Sequence, residues 1–129
     1  MHKKSPTPPP QHGLHEELFI NGKVAVSGHY ADGVKTGEWT YYYKSGGVKA
    51  VGLFVADKMH GEWKWYRENG VMQQIGAFDH GERAGIWRRH HPNGQVFDEG
   101  VYHREKKTGD WMTYDEQGIL TKTKRHSTT

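Results

Sequence analysis

A Gly-x-Trp tripeptide recurs four times at a constant spacing of 24 residues: Gly37-Glu38-Trp39, Gly61-Glu62-Trp63, Gly85-Ile86-Trp87 and Gly109-Asp110-Trp111. A fixed period of this size constrains the fold more than any other feature of the chain. Each unit is too small to bury its own apolar face and must bury it on its neighbours, which makes a repeat array.

Other positions keep the same phase. Seven residues after each Trp stands a glycine (Gly46, Gly70, Gly94, Gly118), and six further on stands another (Gly52, Gly76, Gly100). Two residues beyond that second glycine is an aromatic: Phe54, Phe78 and Tyr102. Three residues after each Trp come Tyr42, Tyr66, His90 and Tyr114. A worn copy precedes the first clear unit: Gly13, Gly22, Gly28 and Tyr30 hold the phase, with His15 in the Trp slot and Leu18 in the Tyr slot. The units therefore begin at Gly13, Gly37, Gly61, Gly85 and Gly109. The last is cut short, with Lys124 where the late glycine belongs and His126 where the aromatic belongs. Atypical end units are what a capped array requires.

Each unit reads as a β-hairpin. In the unit starting at Gly61, Glu62–Arg67 is an aromatic-rich strand, Glu68-Asn69-Gly70 a tight turn, and Val71–Phe78 the return strand. Asp79–Ala84 reads as a polar connection to the next unit. No apolar pattern of helical period survives the glycine spacing. The expected fold is all-β: an elongated antiparallel meander of stacked hairpins with about nine or ten strands. Residues 1–12, with Ser5-Pro6-Thr7-Pro8-Pro9-Pro10, read as a disordered proline-rich arm, residues 13–126 as the array, and residues 127–129 as a frayed tail. The mid-strand glycines at 52, 76 and 100 imply that a ring, the Trp, lies flat over bare backbone. Val24, Val48, Met72, Val96 and Leu120 are expected to add an aliphatic row to that same surface. Trp39 and Tyr42 are three apart, so either both faces carry aromatics or a bulge intervenes.

Bulk composition agrees with an open array. Hydrophobic residues make up only 33% of the chain, thin for a closed core, while glycine, Trp and Tyr are generous. There is no cysteine, hence no disulfide and no thiolate chemistry. No apolar run approaches the length of a spanning helix, and the N-terminus has no apolar segment of the secretory kind. The expected location is the cytoplasm. The net charge of +3 is a poor argument for nucleic acid as a partner.

The pattern Gly-x-Trp-x-x-Tyr, with Asn-Gly turns and a late Gly-x-Tyr/Phe, resembles the MORN-repeat variant family across about residues 13–126. The resemblance implies a twisted antiparallel meander in which Trp39, Trp63, Trp87 and Trp111, with Tyr42, Tyr66 and Tyr114, are structural. It further implies a binding role: bacterial members are often labelled the antitoxin component of toxin–antitoxin pairs, and related MORN proteins are linked to membranes and to protein scaffolding. It supplies no catalytic residues.

Enzymatic chemistry finds little footing. Glu38, Glu62 and Asp110 share one phase, which assigns them to the repeat rather than to a unique acid–base pair. Ser27, Ser45 and Ser127 lack a nucleophile setting, and Gly46-Gly47 is too short for a phosphate loop. Ten histidines invite a metal, but His90 and His91 are adjacent and point to opposite faces, His60 and His80 sit in connections, and His12-Gly13-Leu14-His15-Glu16 has no strong third partner. No cofactor and no metal site are expected.

The informative positions are those that vary against the repeat. Two residues after each Trp come Tyr41, Trp65, Arg89 and Thr113, and four after come Tyr43, Arg67, His91 and Asp115. Two readings stand: ordinary cross-strand pairs, or a protein-binding strip of Tyr41, Tyr43, Trp65, Arg67, Arg89 and His91. The fourth unit carries a basic patch of Arg83, Arg88, Arg104, Lys106 and Lys107, diluted by acids. Together these predict a non-enzymatic protein-binding module, antitoxin-like in its narrower form, whose partner has an acidic surface. The alternative is a membrane-surface adaptor that docks anionic phospholipid through the basic unit.

Overall fold

A computed structural model describes residues 11–127, in which the chain forms ten strands and no helix. The strands are β1 (Gly13–Leu18), β2 (Val24–Ala31), β3 (Val34–Tyr42), β4 (Val48–Val55), β5 (Lys58–Tyr66), β6 (Met72–Asp79), β7 (Glu82–His90), β8 (Val96–His103), β9 (Lys106–Tyr114) and β10 (Leu120–His126). They form one sheet in chain order, each strand antiparallel to the next. At about 4.8 Å per step the sheet extends roughly 43 Å along the stacking direction. This is the all-β meander of hairpins that the 24-residue phase predicts. The proline-rich stretch of the arm lies outside the described residues, as do Thr128 and Thr129. Gln11 and His12 already engage the array: the Gly33 N–H donates to the Gln11 carbonyl at 2.8 Å, and the Asp32 N–H to His12 Nδ1 at 3.2 Å.

Two kinds of turn alternate. Inside a unit, the Arg67 N–H donates to the Val71 carbonyl (2.8 Å), the Gly70 N–H to the Arg67 carbonyl (2.9 Å), and Asn69 Oδ1 accepts from the Val71 N–H (3.0 Å). Between units the sequence suggests a six-residue polar connection, and the chain instead makes a two-residue turn with both residues at positive φ. These are Asp32-Gly33 (52° and 78°), Ala56-Asp57 (49° and 68°), His80-Gly81 (48° and 93°) and Arg104-Glu105 (48° and 71°). Left-handed pairs of this kind give hairpin turns whose twist matches that of the strands. The signal is weak in the sequence because two of the four turns lack glycine.

The Trp ladder is the core. Trp39 and Trp63 are 0% and 1% exposed, with Trp87 and Trp111 close behind. Each indole lies on the glycine of the preceding strand: a Cβ built on Gly28, Gly52, Gly76 or Gly100 would stand 2.0–2.2 Å from the ring of Trp39, Trp63, Trp87 or Trp111. Opposite each such glycine the register slips, as between Gly52/Leu53, where Gly61 and Glu62 are the extra residues. Gly61 sits at φ 69° to make that bulge. The carbonyl just beyond the glycine then accepts the indole N–H: Trp63 Nε1 to Leu53 (2.9 Å), Trp87 Nε1 to Ala77 (3.0 Å), Trp39 Nε1 to His29 (3.1 Å) and Trp111 Nε1 to Val101 (3.2 Å). The late aromatics stand edge-on between successive indoles, as Phe54 does 5.2 Å from Trp63 and Phe78 5.2 Å from Trp87.

Both faces of the sheet carry aromatics. Trp39 and Tyr41 share one face, and Tyr42 lies on the other with Thr40, Val48 and Val51. A second slip at each hairpin end, as between Tyr41/Tyr42 against Ala50 and Val48, places the valine beside the tyrosine. The aliphatic row was expected on the Trp face. Val24 and Val48 instead line grooves with Tyr42 on the far side, because the bulge at Lys49 reverses the alternation that a regular strand would keep.

Trp63→Ala should cost on the order of 3–5 kcal/mol. Gly76→Ala should cost about 1–3 kcal/mol or more, because its methyl meets the rigid Trp87 ring rather than a movable chain end. Ala56→Gly should stabilise by roughly 0.5–1 kcal/mol through relief of a left-handed alanine. Urea denaturation of the three variants checks all of these.

Candidate protein-binding face

The row four residues after each Trp is committed to the array itself. Tyr43 Oη donates to the Tyr66 carbonyl (2.8 Å), Arg67 Nη2 to the His90 carbonyl (2.9 Å), and His91 Nε2 to the Tyr114 carbonyl (2.8 Å). Each clamp reaches 23 residues ahead, to a carbonyl at a register slip in the next hairpin. Asp115 makes no such clamp among the described residues, and its carboxylate accepts the Gln117 and Ile119 N–H groups of its own turn. Tyr43, Arg67 and His91 therefore each spend a donor within the array, which reduces what they offer a partner, although Arg67 Nε is buried with no hydrogen-bond partner among the described residues. The three clamps use different chemistry for one job, so sequence variation at this row does not by itself mark a binding surface.

The row two residues after each Trp is different. Tyr41 is half-buried with its ring 6.3 Å from Trp63. Trp65 packs 6.0 Å from Trp63 and 5.7 Å from Trp87. With Ala50, Phe54 and Met59 they line an apolar cleft of about 280 Å³ on the Trp face. Burial first, then the charge of Glu17 and the Tyr30 ring, pushes the Tyr41 phenol above its usual range. Arg89 is held by Asp98 through two bonds, Nε to Oδ1 at 3.0 Å and Nη2 to Oδ2 at 2.6 Å, and stacks 5.1 Å over Phe97. The hydrogen bond that Arg89 donates to Asp98 is the largest cause of its raised pKa.

Towards the C-terminal end the same face becomes cationic. Lys35, Met59, Arg83 and Lys107 form a row in phase, two residues before each bulge glycine. Lys35 lies 5.0 Å over both Trp39 and Phe54, Arg83 4.6 Å over Tyr102, and Lys107 4.6 Å over Trp111. Two adjoining clefts of about 180 and 380 Å³ share Arg89, Asp98, Lys107 and Trp111, and the second extends to Lys122, Lys124 and His126. Arg83 and Arg89 are neutralised by Glu105 and Asp98, whereas Lys107, Lys122 and Lys124 carry no ion pair among the described residues.

The basic patch drawn from the sequence is thus divided. Arg83 and Lys107 are on the Trp face. Arg88 points to the other face and pairs with Glu99 at 2.7 Å, which also accepts the Tyr114 Oη–H at 2.7 Å. Arg104 is in the β8–β9 turn, and Lys106 opens β9 opposite His103. Adjacency in sequence puts Arg88 and Arg89 on opposite faces. Lys122 and Lys124 were missed by sequence reading. Their signal was present in the phase, since Lys124 occupies a glycine slot of the truncated unit.

Residues 35–56 and 59–80 match the family model of the MORN repeat variant. These two stretches are MORN repeats, and the units starting at Gly85 and Gly109 repeat the same strand pairing and Trp-on-glycine contact as the matched pair. MORN repeats are generally protein- or membrane-binding modules. No curated protein matches the chain significantly.

The far face supplies a pH signature. Hydrogen bonds from Arg88 and then Tyr114 hold the Glu99 carboxyl below its usual range. A depressed carboxylate contributes stability that is present above its unfolded pKa and lost as pH falls through the folded value. Glu99→Gln should therefore lower the thermal midpoint at neutral pH, and the difference from the native chain should shrink below about pH 4. Calorimetric scans across that range check this.

Proposed function

We propose that this chain is a non-enzymatic cytoplasmic module that binds another protein along its Trp face. The observation that supports this reading is the continuity of two complementary zones on that face. An apolar shelf at Tyr41 and Trp65 runs into a trough where Lys107, Lys122 and Lys124 are unneutralised. Exposed apolar surface beside charge suits a partner that presents a hydrophobic side chain flanked by carboxylates. The sheet supplies rigidity, so little ordering cost falls on this side of the complex. An antitoxin-like role, with a toxin as the partner, is the narrower form of this reading and rests on the family resemblance.

The test separates a protein partner from an anionic membrane. A partner recovered with the tagged chain is titrated calorimetrically against Lys122→Glu with Lys124→Glu, and against Trp65→Thr, which copies Thr113 at the same phase. Each variant should weaken binding roughly tenfold or more, and added salt should slow association by the native chain. Undiminished affinity in folded variants places the site elsewhere. Co-sedimentation with phosphatidylserine vesicles, lost at moderate salt and in the double lysine variant, would instead support the membrane reading.

A further inference from the structure

One register of the array differs from the others in the chemistry of its inter-unit turn. His60 stands near the start of β5, and Asp79 and His80 stand at the β6–β7 turn. One donor atom from each lies within 4.8 Å of the other two, and the two imidazole centroids are 4.6 Å apart. The same three slots hold Thr36, Val55 and Ala56 one unit earlier, and Ala84, His103 and Arg104 one unit later. The constellation is therefore not something the repeat requires.

We propose that His60, Asp79 and His80 form a binding site for a divalent transition metal such as Zn(II). Two imidazoles and a carboxylate are a donor set suited to zinc, with water completing the tetrahedron. Ligands about 2.1 Å from zinc lie about 3.4 Å from one another. His80 Nδ1 and Asp79 Oδ1, now 2.6 Å apart, would open to that value, and the wider separations within the 4.8 Å spread would close to it, by side-chain rotation. The backbone also fixes the site. The His80 N–H donates to His60 Nδ1 at 3.1 Å, which holds one ring against the turn, and His80 Nδ1 meets Asp79 Oδ1 at 2.6 Å, which orients the other. The His60–His80 backbone bond sets the tautomer of His60, with its lone pair on Nδ1, and the ion must compete with that N–H. The site sits in the turn, apart from the Trp face on which protein binding is proposed, so its fate is independent of that reading.

Zinc chloride titrated calorimetrically into the full chain is expected to show one saturable site. The His80 amide should shift in an amide-correlation NMR spectrum, since its acceptor is the ring that zinc recruits. Each ligand can be replaced by the residue that already serves its slot in the preceding unit: His60→Thr, Asp79→Val and His80→Ala. Ala56 adopts φ 49° where His80 adopts 48°, so the last change introduces no new backbone strain. The combined variant should keep the native circular dichroism spectrum and lose the zinc heat. The proposal is overturned by the absence of saturable binding to the native chain. It is overturned equally by unchanged binding to the folded combined variant, or by zinc shifts at His91 or His126 with His80 unmoved.

Discussion

An indole lying flat on a residue with no side chain is the contact on which this sheet depends. A single-layer sheet has no second layer to bury against, so its apolar rings must find cover within their own surface. Here cover comes from contact with bare peptide backbone. The late glycine removes the only atom that would hold the ring away, and a methyl there would stand about 2 Å from the indole. The Gly-x-Trp bulge lifts one strand out of register, and the indole N–H takes the carbonyl that the ladder passes over. Three costs that usually weaken a strand, namely a mid-strand glycine, a bulge and a buried indole N–H, cancel because they fall at one place.

That contact also orders the array from end to end. Each Trp covers the strand before it, and each clamp from Tyr43, Arg67 and His91 reaches into the hairpin after it. Each inner unit is thus held from both sides by its neighbours. The ladder of rings closes in a histidine at each end: His15, buried against Tyr30, and His126, beside Trp111. A smaller ring with a polar atom suits a position where only one neighbour exists. The sheet edges differ in charge as well. Lys122, Lys124 and Arg125 stand on β10, so two β10 edges repel one another, and Glu16 and Glu17 stand on β1.

Because the glycine–Trp contact fixes the backbone, the row beside it is free to change chemistry. Tyr41, Trp65, Arg89 and Thr113 occupy equivalent places with very different side chains. The outcome is a face that grades from apolar to cationic along one rigid sheet. The opposite face grades less and is knitted by Arg88, Glu99 and Tyr114. An array of this build can change the chemistry of one row while the glycine–Trp contact that holds the units together is kept.

The sequence by itself determined the all-β meander, its count of about nine or ten strands, and the partnership of Trp with glycine. All three follow from one period, and a period survives whatever the fold does in detail. It did not determine which residues share a face. That depended on two bulges per unit, which reverse alternation between Trp39 and Val48 and placed the valine row opposite the expected side. Nor could it separate the clamp row from the exposed row, because Tyr43 and Tyr41 are alike as residues and differ only in that a carbonyl of the next hairpin lies within reach of Tyr43. The same holds for His60 and His80. Twenty residues apart, they meet because the β5–β6 pairing, with Gly61 opposite Phe78, brings the β6–β7 turn beside His60, where the left-handed His80 aims its N–H at the ring. Contacts set by local period can be read from a chain, whereas contacts set by the register of a bulge or the hand of a turn exist only once the neighbouring strand is in place.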